Sequence, residues 1–67
     1  MIKEGTVFEF DNYNGIIKDD DGNEYLFNID NVKGTISVND RVSFVPETYE
    51  TVEIKKNIAV FIEKINN

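Results

Sequence analysis

Apolar and polar residues alternate along most of the chain with a period of two, which suits pleated strands with one face turned inward. Gly5-Thr6-Val7-Phe8-Glu9-Phe10-Asp11 carries the first such run, rich in β-branched and aromatic residues. Gly15-Ile16-Ile17-Lys18 reads as a second strand, and Asp20-Asp21-Gly22-Asn23 supplies the reversal after it. An Asp-Gly pair tolerates the positive φ angles of a tight turn. Glu24-Tyr25-Leu26-Phe27-Asn28-Ile29 is the returning strand, followed by a loop over residues 30–34 with room for one helical turn. Asp40-Arg41-Val42-Ser43-Phe44-Val45 forms a fourth strand that Pro46, lacking an N–H, is expected to stop. The polar stretch from Glu47 to Glu53 reads as a loop or hairpin arm. Residues 57–65 form the fifth strand, with Ile58, Val60 and Ile62 keeping the alternation. Five short strands without a crossover helix predict a small antiparallel barrel or open sandwich, with Val7, Ile17, Leu26, Val42 and Val60 buried.

Length confines these strands to one domain, residues 1–67. A chain of this size buries only about 60% of its unfolded surface, and small domains often compensate with disulfides or metals. Here there is no Cys and no His, which excludes disulfides, thiolate zinc sites and imidazole bases together. Asp19-Asp20-Asp21-Gly22 invites a calcium reading, but with Gly22 as the sixth loop residue the first would be Ile17 and the twelfth Asn28. Neither fits a calcium loop, so a solvated turn is expected and no metal. Ser37 and Ser43 lack a base at recognisable spacing. No catalytic residue, cofactor or enzymatic activity is expected. No apolar run approaches the roughly 20 residues of a membrane span, and Met1-Ile2-Lys3-Glu4-Gly5 lacks a signal-peptide core, so a cytoplasmic location is expected.

Charge bears on partners. Seven basic residues face thirteen acidic ones, a net charge of −6, and eight of the acids fall within residues 1–31 beside only Lys3 and Lys18. Such a balance repels nucleic acid at long range.

The ordered motifs nevertheless resemble bacterial cold-shock proteins. The run from Gly5 to Asp11 is similar to their G-x-V-K-W-F-N opening, and Gly15-Ile16-Ile17 to the end of K-G-F-G-F-I. Asp20-Asp21-Gly22 leading to Leu26-Phe27 resembles D-D-G before V-F-V-H, Asp40–Phe44 resembles G-D-R-V-S-F, and Asn57-Ile58 matches A-x-N-V. The resemblance implies a five-stranded OB-type barrel that binds single-stranded RNA or DNA, often as an RNA chaperone. It places Phe10 and Phe27 on stacking positions with their rings kept. Glu9 stands where the family has Trp, Phe8 where Lys is usual, and Ile16 where a second Phe would be. Ile29 and Asp30 replace a His and a Phe, and Lys33-Gly34-Thr35 shortens an aromatic loop. The nucleic-acid-binding motif is thus degenerate.

The candidate surface comprises Phe8, Phe10, Tyr13, Lys18 and Phe27, with Tyr25 as an outsider. Rings stack on bases and lysines follow the backbone. Strict alternation turns either Phe8 and Phe10 or Val7 and Glu9 inward, and the charge on Glu9 favours a core role for the two rings. Two functions follow. One is weak single-stranded nucleic-acid binding on strands one to three. The other is a protein-interaction module whose acidic face, a nucleic-acid mimic, meets a basic protein surface. The first ranks ahead, because a small barrel can gather its few bases locally. No membrane partner is expected, and a monomer is assumed.

Overall fold

Two irregularities in an otherwise regular ladder decide which side chains reach the interior. The structure, a computed structural model, describes residues 1–65. Its strands are β1 (Lys3–Phe10), β2 (Asn14–Asp19), β3 (Glu24–Asn28), the two-residue β4 (Val32–Lys33), β5 (Arg41–Glu50) and β6 (Lys55–Lys64). A single 3-10 turn, Ile29–Asn31, follows β3, with Asn28 as its cap. The strands hydrogen-bond in the order β3-β2-β1-β5-β6, and β3 meets β6 at Leu26 and Ile58 to close a five-stranded barrel. Neighbours run antiparallel except at that closure and where β4 adds to β6, both parallel.

The β2–β3 reversal is the expected Asp-Gly turn, with Gly22 at φ +87° and its N–H donating to the Asp19 carbonyl. Asp19 itself departs from a solvated turn. Its side chain is buried and accepts from Lys3 Nζ (2.9 Å), Asn23 Nδ2 (3.0 Å) and the backbone N–H groups of Asp21 and Asn23. The Tyr25 hydroxyl also donates to it, at 3.2 Å. Every lone pair of a buried carboxylate therefore has a use.

The first irregularity is a bulge in β1. Val7 pairs with Ile17 and Glu9 with Ile16, which leaves Phe8 as an extra residue. An inserted residue shifts the strand's parity, so both sides of the bulge can turn apolar groups inward. Val7 is fully buried and Phe10 packs on the core, while Phe8 and Glu9 both face solvent. Neither arrangement allowed by strict alternation occurs, and Phe8 is not a core residue.

A second bulge lies in β6. Val60 pairs with Val45 but Glu63 with Ser43, and Phe61 takes a left-handed backbone at φ +51°. Ala59 and Ile62 consequently point inward, and Val60 is only half-buried, contrary to the expected alternation. Leu26 is likewise not core: at 44% exposure it lies on the outer face, because Tyr25 and Phe27 on either side occupy the inner one. Phe44, Val42 and Ile17 fill the centre, and Ile36 closes it from the β4–β5 loop.

Pro46 does not end β5. The strand continues through it in register with Ala59 and runs on to Glu50. The last β1 partner of β5 is Lys3 opposite Phe44, so Pro46 lies on a strand edge where no ladder donor is needed. Beyond it, β5 and β6 leave the barrel as a two-stranded ribbon turning at residues 51–54. Glu47 through Lys56 are solvent-exposed.

Candidate nucleic-acid interface

The bulge that turns Phe8 outward also places it in a groove on the outer face of β1, β2 and β3. The groove has a volume of about 580 Å³ and apolar walls of Phe8, Phe10, Ile16, Leu26 and Val38. Glu9, Asp11 and Asn14 form its polar rim. Val38 reaches the groove because residues 37–40 make a turn docked on β1: Asn39 donates to the Val7 carbonyl and Val7 to that of Asp40.

Phe8 is about half exposed, at 49%, and Lys18 Nζ lies 3.6 Å from its ring centroid. An ammonium over an aromatic face gains roughly 0.5–1 kcal/mol at exposed sites. The same ammonium lies 3.7 Å from Glu24. Phe10 is half-buried and tilts against Phe27, with centroids 5.6 Å apart. Phe27 is 4% exposed and belongs to the core, so its ring supports the groove from below and offers no open face for a base. A Cβ on Gly15 would stand 2.5 Å from Phe27 Cζ; only glycine lets this ring lie against β2.

Tyr13 projects from the β1–β2 turn, 70% exposed, and does not line the groove. The turn is held by Asp11 Oδ1, which accepts from the N–H groups of Asn14 (2.7 Å) and Tyr13 (2.9 Å). These bonds, that from Asn14 foremost, hold the Asp11 carboxyl below its ordinary range, so it stays charged beside the groove. Tyr25 is buried, its hydroxyl on Asp19 and its ring 5.0 Å from that of Phe44. The structure thus brings Phe8, Phe10 and Lys18 together and sets Tyr13 and Phe27 apart. Ile16, Leu26 and Val38 are groove residues that were not singled out as candidates. The two aromatics flanking Leu26 were the available signal for it, whereas Val38 had none.

Basic residues are mostly engaged. Arg41 donates to Asp20 at 3.0 Å and to Glu4 at 3.5 Å, and these acids, Asp20 foremost, raise its pKa. Lys3 serves Asp19, and Lys64 lies 3.6 Å from Asp40. Among the described residues, Lys33, Lys55 and Lys56 have no carboxylate within 4.0 Å. No group of three or more metal-ligating side chains occurs among those residues, and no helix among them is long and apolar enough to cross a membrane.

Strand order, parallel closure and the single turn after β3 define an OB-type barrel of the cold-shock kind. Among solved structures, the chain is similar to Drosophila Unr CSD456, a cold-shock-domain structure, with a TM-score of 0.75 and 17% sequence identity. The match covers 98% of this chain and 27% of that one, so the chain spans about a quarter of its length. No protein-family model matches the sequence, and no curated protein matches it.

Proposed function

We propose that this barrel binds single-stranded RNA or DNA, weakly and without catalysis, in the groove on β1, β2 and β3. The observation that carries the reading is the exposed ring of Phe8 beneath the Lys18 ammonium, set in an apolar groove between Ile16, Leu26 and Val38. A base entering the groove stacks on Phe8 and meets the exposed edge of Phe10, while Lys18 swings from the ring onto a phosphate. Stacking is worth about 1–3 kcal/mol per base, and displacing the ammonium returns part of that. Glu9 and Asp11 on the rim oppose phosphate, which is why the affinity is low. The cold-shock fold supports the same reading.

An acidic protein-interaction face has less support. Four of the eight acids in residues 1–31 (Glu4, Asp19, Asp20 and Glu24) each lie within 4.0 Å of a Lys or Arg. They share three cations, Lys3, Lys18 and Arg41, which lowers the negative charge this part of the chain offers a basic protein.

The test is a titration with a pyrimidine-rich single strand of about six to eight nucleotides, roughly one OB-fold site. Amides of Phe8, Phe10, Ile16, Lys18 and Leu26 should shift together, and Phe8→Ala should suppress the shifts without unfolding the protein. Unmoved resonances at millimolar oligonucleotide would overturn the proposal.

A further inference from the structure

Phe61 is an expensive place for an aromatic side chain. At φ +51° its Cβ crowds its own backbone, and glycine or asparagine is the ordinary occupant of such a bulge position. The bulge sends Ile62 into the core and leaves the Phe61 ring 78% exposed. Burial therefore gives no reason for the ring. Strain of this sort collects where a side chain must be aimed.

The ring lies at the far end of a row of three hollows that share lining residues. The groove on β1, β2 and β3 shares Asn14 and Leu26 with a hollow of about 240 Å³ at the β3–β6 closure, which includes Ile58 and Lys56. That hollow shares Asn31 with a third, of about 190 Å³, between the 3-10 turn and Phe61, with Lys33 on its rim. Along this path the charge changes sign. Glu9 and Asp11 border the first groove, whereas Lys56 and Lys33 border the other two and have no carboxylate partner among the described residues. Asp30 is the one acid in the third hollow. The Asn31 side chain, a polar group, lines both the second and the third hollow.

We infer that a bound single strand continues from the β1–β3 groove across the β3–β6 closure to a second stacking platform, Phe61, with Lys56 and Lys33 receiving its phosphates. This rests on the nucleic-acid reading above. It commits the ligand to a length beyond one face and puts most of the electrostatic attraction at the Phe61 end.

Oligothymidines of about five and about ten nucleotides separate the possibilities, since OB-fold sites span roughly 4–16 nucleotides. The variant is Phe61→Asn, which removes the ring but accepts the left-handed backbone; its melting temperature should equal or exceed that of the parent. The longer strand should shift amides of Asn31, Lys33 and Phe61 in addition to those of the groove. Its affinity should fall by about tenfold in Phe61→Asn and several-fold in Lys33→Gln, while the shorter strand changes by less than about twofold, as loss of one stacked base and one phosphate contact requires. If the longer strand shifts only groove amides, or Phe61→Asn weakens both strands equally, the extension is wrong and groove binding stands. If neither strand moves any amide, both readings fall.

Discussion

The ammonium of Lys3 stands 2.9 Å from the carboxylate of Asp19, whose side chain is only 3% exposed. This pair ties the start of β1 to the end of β2 and is completed by Tyr25 and Asn23. Lys3, then Asn23, hold the Asp19 carboxyl well below the usual carboxylate range, and the hydrogen bonds to Asp19 and then Tyr25 raise the Lys3 pKa above its ordinary value.

Linkage gives each shift a direction in pH. Asp19 has a depressed folded pKa, so its contribution is complete above an unfolded value of about 3.9 and is lost as pH falls through the folded one. Lys3 has a raised folded pKa, so its contribution is complete below about 10.4 and is lost as pH rises through the folded value. Stability should therefore plateau between these limits. Asp19→Asn should lower the plateau and flatten the acid limb, which denaturant melts at several pH values will show. An unchanged acid limb would mean that other carboxylates govern it.

Phe8 and Phe27 should separate binding from folding. Phe27→Ala removes a buried ring that packs on Phe10 and Gly15, and should cost about 3–5 kcal/mol, comparable to the whole stability of a domain this size. Phe8→Ala removes a half-exposed ring and should cost less than about 1 kcal/mol while suppressing oligonucleotide shifts. Urea melts of the two variants check the contrast; similar losses would place Phe8 in the core after all.

Gly15→Ala should destabilise the barrel by about 1–3 kcal/mol, because the new methyl meets the Phe27 ring and the Glu9 carbonyl, and that strand backbone cannot give way. A melting temperature equal to the parent's would show that Phe27 can tilt away.

Glu9→Gln should strengthen oligonucleotide binding by roughly two- to fivefold at low salt, and the gain should shrink as salt screens the rim. Glu9 lines the groove without a cationic partner among the described residues. An unchanged affinity would mean that phosphates do not pass over β1.

Hydrogen exchange should divide the molecule. The ribbon has cross-strand pairs Thr48–Asn57, Tyr49–Lys56 and Glu50–Lys55 but no buried side chain, so its amides should exchange through local opening. Amides of Val7, Ile17 and Val42 should exchange only with global unfolding. Uniform protection of ribbon and barrel would contradict this division.

Period, turn chemistry and motif order made the strands and the barrel legible in the sequence. Asp21-Gly22 announced its hairpin, and the first, second and fourth strands buried Val7, Ile17 and Val42 as alternation requires. Parity was legible only up to the first irregularity. Nothing in Val7-Phe8-Glu9-Phe10 marks Phe8 as supernumerary, and an aromatic at Phe61 disguises a position whose backbone suits glycine. Both bulges depend on partner strands distant in sequence, so local pattern does not contain them. Pro46 misled for a related reason, since a proline stops a central strand but not an edge, and edge status is a property of the assembled sheet. In the site, Phe10 came from the resemblance, whereas Phe8, at a position the family fills with Lys, was expected in the core and is turned outward by the bulge. Phe27 went inward because Tyr25 and Phe27 share one side of β3 and together outweigh Leu26.

The supernumerary residue in β1 gives the chain a place to change its surface chemistry at little cost to packing. Phe8 and Glu9 stand adjacent on the outside while Val7 and Phe10 anchor the strand on either side. Two consecutive positions are thereby released from the packing constraint that binds their neighbours. A sequence drifting at those positions can pass between cationic, acidic and aromatic surfaces without rebuilding its interior.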